Sequence, residues 1–300
     1  MTRKELIEQF RAVRKQTEEI CRPLEIEDYV IQSIEDVSPP KWHLGHTTWF
    51  FEQVILEQFQ PNYRRYHPDY YFVFNSYYES FGVRVQRDSR GTLSRPLVSQ
   101  VYEYRREIDN RMLSLIESAG DDGLAELESL TVLGLHHEQQ HQELMVTDIK
   151  HIFANNPLRP IYREQPKAHP ATDIPALKYV AFEGGLREFG ANDPPFAYDN
   201  EFPRHRAFVN DFKLADRLVT CGEYLEFMKD GGYENSLLWL SDGWDTVQAQ
   251  GWNAPLYWEE KDGEWFIATL SGFRPVRPEE PVCHVSFYEA SAYARWAGRR

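Results

Sequence analysis

From residue 3 to residue 20 apolar side chains recur every three or four positions between charged ones, the spacing that lines one face of an amphipathic helix. Residues 41–59 form an apolar-rich stretch after "SPP", and residues 95–118 and 124–154 carry the same period. Four long helices in succession predict a bundle. Between the second and third lies a connection rich in Tyr, Phe and Arg and without helical period, residues 60–95. A connection of that length inside a compact domain is more often functional than idle. Prolines then crowd into "NNPLRPIYREQPKAHPATDIPA", where they remove amide donors and push the residues before them toward extended backbone. This marks residues 159–175 as a linker between a helical domain, 1–158, and a second domain, 176–300. In the second domain "YVAFEGGLREFGAND", "HRAFVNDFKLADRLVT" and "EWFIATLSGF" are short strand-like pieces broken by Gly, Asn and Asp, interrupted by helical "CGEYLEFMKDG" and "FYEASAYARWAGRR". The predicted fold class is therefore α+β multidomain. The sequence stops on its last helix with no closing element, so the second domain is expected to be incomplete at residue 300.

Composition narrows the partners. Three hundred residues with 42% hydrophobic and 14% aromatic content suffice for two packed cores. Forty-seven acidic against thirty-three basic residues leave a net charge of -14, which repels a phosphate backbone and argues against nucleic acid. No apolar run approaches the roughly 18 residues of a membrane span, and the charged amino terminus has no signal-peptide core; the expected location is cytoplasmic. Cys21, Cys221 and Cys283 are widely separated and form no C-x-x-C pair, so any metal must rely on histidine and carboxylate.

The chemistry concentrates in "LGLHHEQQHQELM". His137 and His141 are four apart and, on a helix, share a face from which both reach one ion. The string also fits the zinc-protease pattern with Glu138 as base, but a bundle is not that motif's usual setting and no downstream third ligand follows. Glu138-x-x-His141 is half of a di-iron unit, yet its nearest counterpart, Asp148-x-x-His151, lies on the same helix. A bland alternative, polar residues on a solvated helix face, would leave the clustering unexplained. His43 and His46, in "PPKWHLGHTTWFFEQ", lie on another helix, and Gly45 leaves room there for a close approach. A mononuclear site of His46, His137 and His141 remains. Three neutral ligands preserve the ion's charge and open positions, a setting suited to thiolate and dioxygen on iron(II).

"SPPKWHLGHTTWFFE" with "LGLHHEQQHQELM" resembles the DinB-like four-helix bundle of the ergothioneine-biosynthesis sulfoxide synthases. "FEGGLREFGAND", "YDNEFPRHRAFVNDFKLADRLVTCGEYLEF" and "PVCHVSFYEASAYARWAGRR" resemble those enzymes' C-type-lectin-related domain, which is like that of the formylglycine-generating enzyme. The resemblance implies an oxidoreductase with Fe(2+) as cofactor. It would use O2 to join cysteine or gamma-glutamylcysteine to the imidazole of N-alpha-trimethylhistidine (hercynine) and oxidise the sulfur to a sulfoxide. Carried over by motif, the iron ligands are His46, His137 and His141, with His43 and His136 beside them. Gln140 contacts the histidine-derived substrate, Arg87 or Arg90 the thiol's carboxylates, and Tyr77 and Tyr78 are candidates for the proton donor. Alternatives of the same architecture are a selenoneine- or ovothiol-type synthase. A DinB-like thiol transferase on zinc or nickel is another, and a lectin-like binding protein without iron would be no enzyme at all.

Overall fold

The computed structural model describes residues 1–76, 82–164 and 174–300; Tyr77 and Tyr78 lie outside them. The chain forms two compact units, Met1–Glu164 with Leu270–Gly272, and Gln165–Thr269 with Phe273–Arg300.

The first unit is built on four long helices. Helix α1, Arg3–Cys21, starts at a capping box in which Thr2 Oγ1 accepts from the Glu5 amide and the Glu5 carboxylate accepts from Thr2 N. Its inward stripe is Leu6, Phe10, Arg14, Thr17 and Ile20. Helix α2, Pro40–Phe50, begins with a proline at its first turn, where the missing amide costs nothing. Every residue of α2 is buried, and the chain continues through a π-helical turn, Phe51–Leu56, to Phe59. Helix α3 is Val98–Ser118 and α4 is Asp121–Asn155. At 1.5 Å per residue α4 is about 50 Å long, and it packs against α1 and α2 while α2 also packs against α3.

Two glycines let backbones and rings close up. A Cβ on Gly45 would overlap the Phe74 ring, and one on Gly134 would sit 2.7 Å from the Phe51 ring, so the predicted close approach at Gly45 is made by an aromatic side chain. The connection 60–95 holds a single helical turn, Tyr70–Val73, and a 3-10 segment, Arg87–Thr92. Part of the stretch expected as linker belongs to the first unit: Tyr162 is buried and donates to the Ile20 carbonyl at 2.7 Å. A tyrosine ring gains by burial wherever its hydroxyl finds an acceptor, and proline density does not register that.

The second unit is a set of small antiparallel sheets and short helices. Strands β1 (Tyr179–Phe182) and β4 (Phe212–Ala215) pair, as do β2 (Gly185–Phe189) and β3 (His205–Val209); β5 (Trp258–Lys261), β6 (Glu264–Thr269) and β7 (Gly272–Pro275) form a three-stranded sheet. Helices α5 (Cys221–Lys229) and α7 (Phe287–Trp296) open with Thr220/Glu223 and Ser286/Glu289 capping boxes, and α6 (Ser241–Gln250) lies between them in sequence. Tyr224, Phe227, Trp239, Val247 and Ala292 are buried together as the unit's own core. Among the described residues no helix is long and apolar enough to cross a membrane.

Candidate metal centre

His137, His141, Leu144 and Asp148 follow one another along α4 at intervals of four, three and four, a single stripe of the helix. Trp42, His43 and His46 lie on α2, which is packed against it. Between the two helices is a cavity of about 270 Å³, lined by these side chains together with Ser38, Ser76, Arg87 and Arg90.

His46, His137 and His141 each offer a ring nitrogen, all within 4.8 Å of one another. His46 Nε2 stands 3.2 Å from His137 Nε2. Two nitrogens bound to one ion at about 2.1 Å are roughly 3.0–3.4 Å apart for bond angles from octahedral to tetrahedral, so the spacing suits a shared cation. His46 Nδ1 donates to the Phe74 carbonyl at 2.7 Å, which leaves its Nε2 lone pair facing His137. Burial favours the neutral form of all three rings, the form that can ligate. Burial, reinforced by the neighbouring His137, pushes His46 well below its ordinary value; burial, with His46 and His43, does the same to His141; and burial brings His137 down to about 4. Among the described residues His137 Nδ1 is buried and makes no hydrogen bond. No carboxylate belongs to the triad, so a bound divalent ion would keep its charge for anionic ligands.

Trp42 stacks on His46, ring centroids 4.6 Å apart and planes 10° apart. The Arg90 guanidinium carbon lies 3.4 Å from the Trp42 ring, a cation–π contact, and its Nη atoms donate to Ser38 Oγ at 2.8 Å and Ser76 Oγ at 3.2 Å. Arg90 is buried; Arg87 is exposed and donates through Nε to the Asp36 carbonyl at 3.1 Å. Both reach the cavity. Gln140 is exposed and does not line it. His136 is half-buried, and burial lowers its pKa. Tyr77 and Tyr78 fall in the stretch outside the described residues, immediately after Ser76 of the cavity wall.

Sequence reasoning missed Trp42, Ser38, Ser76, Leu144 and Asp148 as cavity residues. The stripe spacing from His141 could have found Leu144 and Asp148, and Trp42 is four residues before His46. Glu138, by contrast, is wholly buried away from the cavity, bound to Arg14 and Arg105.

Residues 9–145 match the DinB superfamily, and residues 163–300 match the sulfatase-modifying factor enzyme 1-like domain. The chain joins a DinB-superfamily domain to a sulfatase-modifying-factor-like domain. This is the order that the two motif sets implied. It is 32% identical over 190 residues to a hercynine oxygenase of Mycobacterium tuberculosis, covering 62% of this chain and 44% of that protein. With a hercynine oxygenase of Mycolicibacterium smegmatis the identity is 34% over 170 residues, 56% of this chain and 38% of the relative. With the formylglycine-generating enzyme of Bos taurus it is 27% over 138 residues, 42% and 37%. The aligned stretches thus span less than half the length of each of these relatives.

Proposed function

We propose that the chain is the metal-binding part of an iron(II)- and O2-dependent sulfoxide synthase. It would join a thiol, cysteine or gamma-glutamylcysteine, to the imidazole of hercynine. The observation that carries this reading is the convergence of three imidazoles, His46 buried and His137 and His141 half-buried, beside a cavity that Arg87 and Arg90 also line. It occurs in a chain whose relatives include proteins named hercynine oxygenases. The reaction balances as thiol plus imidazole C–H plus O2 giving sulfoxide plus water.

His46, His137 and His141 would hold the ion. Iron(II), when bound there, supplies the electrons and open positions that dioxygen activation requires. Arg90, fixed by Ser38, Ser76 and the Trp42 ring, offers a preorganised guanidinium to a substrate carboxylate, with Arg87 as a second, more exposed donor. Gln140, which the resemblance offers as a partner for the substrate imidazole, would have to reach it from an exposed position outside the cavity lining. Tyr77 or Tyr78 supplies a phenolic proton while sulfur attacks carbon, which favours C–S bonding over oxidation of the thiol alone.

The test is an aerobic incubation of the iron(II)-loaded protein with hercynine and each thiol in turn, read by mass spectrometry. Sulfoxide with one thiol supports the reading and identifies the donor. No sulfoxide with either, from protein shown to contain one iron, sinks it. His137→Ala is expected to lose both iron and product.

A further inference from the structure

The far nitrogens of the ligand triad are held in different ways. His46 uses a backbone carbonyl. His141 uses another histidine: its Nδ1 lies 2.9 Å from His43 Nδ1, and His43 Nε2 lies 2.9 Å from Asp148 Oδ2. Asp148 Oδ2 also accepts from the Ser38 amide at 3.0 Å. His43 itself is buried on α2, its ring set edge-on to that of His141 at 5.1 Å.

The proton positions follow from the chemistry of the partners. A carboxylate only accepts, so the hydrogen between Asp148 and His43 sits on His43 Nε2. A neutral imidazole with Nε2–H has its lone pair on Nδ1. The hydrogen between the two Nδ1 atoms must then belong to His141, and the His141 lone pair is left on Nε2, the nitrogen turned away from His43. Each bond of the chain determines the next.

We infer that Asp148 and His43 form a hydrogen-bond relay that sets the tautomer and ring orientation of His141 for metal binding, making both of them positioning residues. The inference rests on the metal reading of His46, His137 and His141. Metal-bound histidines ordinarily give their second N–H directly to a carboxylate, a carbonyl or water. Here a second imidazole stands between, so the carboxylate on α4 acts through α2 on a ligand seven residues before it on its own helix. The relay also joins the two helices, because Asp148 is held by the amide of Ser38, just ahead of Pro40, where α2 begins. It accounts for His43 and Asp148 at the cavity wall without giving either of them to substrate.

Cobalt(II) affinity and the cobalt absorption spectrum, with thermal unfolding of the metal-free proteins as a check on folding, test the relay. His43→Leu, which removes both bonds, is expected to weaken cobalt binding 10- to 100-fold and alter the spectrum. His43→Asn, which keeps an amide oxygen close to the Nδ1 position, is expected to stay within a few-fold of wild type. Asp148→Asn, nearly isosteric and safe for the fold, is expected to weaken binding by about tenfold. Nitrogen-15 spectra of the zinc-loaded protein should show His43 with its proton on Nε2. If wild type binds cobalt and both His43→Leu and Asp148→Asn bind equally well with the same spectrum, the relay is overturned and the metal reading stands. A His43 proton found on Nδ1 overturns the relay as well. If wild type binds no cobalt, the metal reading falls and takes the relay with it.

Discussion

Glu138 stands one residue after His137, and one residue on a helix is a turn of about 100°, so its carboxylate leaves the histidine face. It arrives among Arg14 Nη1 at 2.8 Å, Arg105 Nη2 at 2.5 Å and Thr17 Oγ1 at 2.5 Å, with no exposure to solvent. Burial alone would raise its pKa; Arg105 and Arg14 outweigh burial and hold the carboxyl at about 2. A general base works best with a pKa near the operating pH, and this one is far from it. Glu138 is therefore an anchor that ties α4 to α1 and α3. Glu138→Gln leaves two buried guanidiniums short of a counter-charge, and we expect a loss of about 3–5 kcal/mol in urea unfolding. A metalloprotease-type base would show the reverse pattern, full stability and lost turnover.

At the scale of elements, the centre depends on α2 being enclosed on every side. Its glycine at 45 admits the Phe74 ring, and the carbonyl of that same Phe74 orients His46. Gly45→Ala should displace the ring and the carbonyl together. The expected result is a stability loss of about 1–3 kcal/mol, as for other overpacked sites, together with weaker cobalt binding than wild type in the same titration. In the second unit the start of α5 depends on Glu223, whose carboxyl is held at about 2 against an ordinary 4.5, first by its hydrogen bond from Arg217. Because the folded value is the lower one, this contribution is complete above about pH 4.5 and disappears as pH falls toward 2. Solvent screening keeps it below about 1 kcal/mol. The urea midpoints of wild type and Glu223→Gln should differ at pH 7 and converge near pH 2.

At the scale of the molecule, His46, His137 and His141 all belong to the first unit, and the second unit has a separate core. Metal that binds only the folded first unit stabilises it by mass action, about 2.7 kcal/mol at one hundred times the dissociation constant. Calorimetry with and without cobalt(II) should therefore move one transition and leave the other, and His137→Ala should abolish the shift. Equal movement of both transitions, or movement that survives His137→Ala, would contradict this placement of the site.

Helices α1, α3 and α4 were legible because an amphipathic period is a local property, whereas α2, enclosed on every side, showed itself only as an apolar-rich stretch after "SPP". Local spacing likewise showed His137 and His141, four apart on one helix, whereas the capping boxes at Thr2 and Thr220, equally local, went unread. Strand β5 carried a signal that went unread, Asp262-Gly263 between it and β6, a residue pair that favours a tight hairpin. Helix α6 had too few apolar positions to show a period. Other features could not be read from any stretch alone. His46 reaches His137 across 91 residues, Arg14 and Arg105 take Glu138 out of the chemistry, and Asp148 acts on His141 through His43. The sequence by itself determined which segments coil and which side chains could ligate. Only the packing of α1, α2, α3 and α4 decided which of those side chains face one another, because burial, shared protons and shifted pKa values exist only between groups that the tertiary structure brings together.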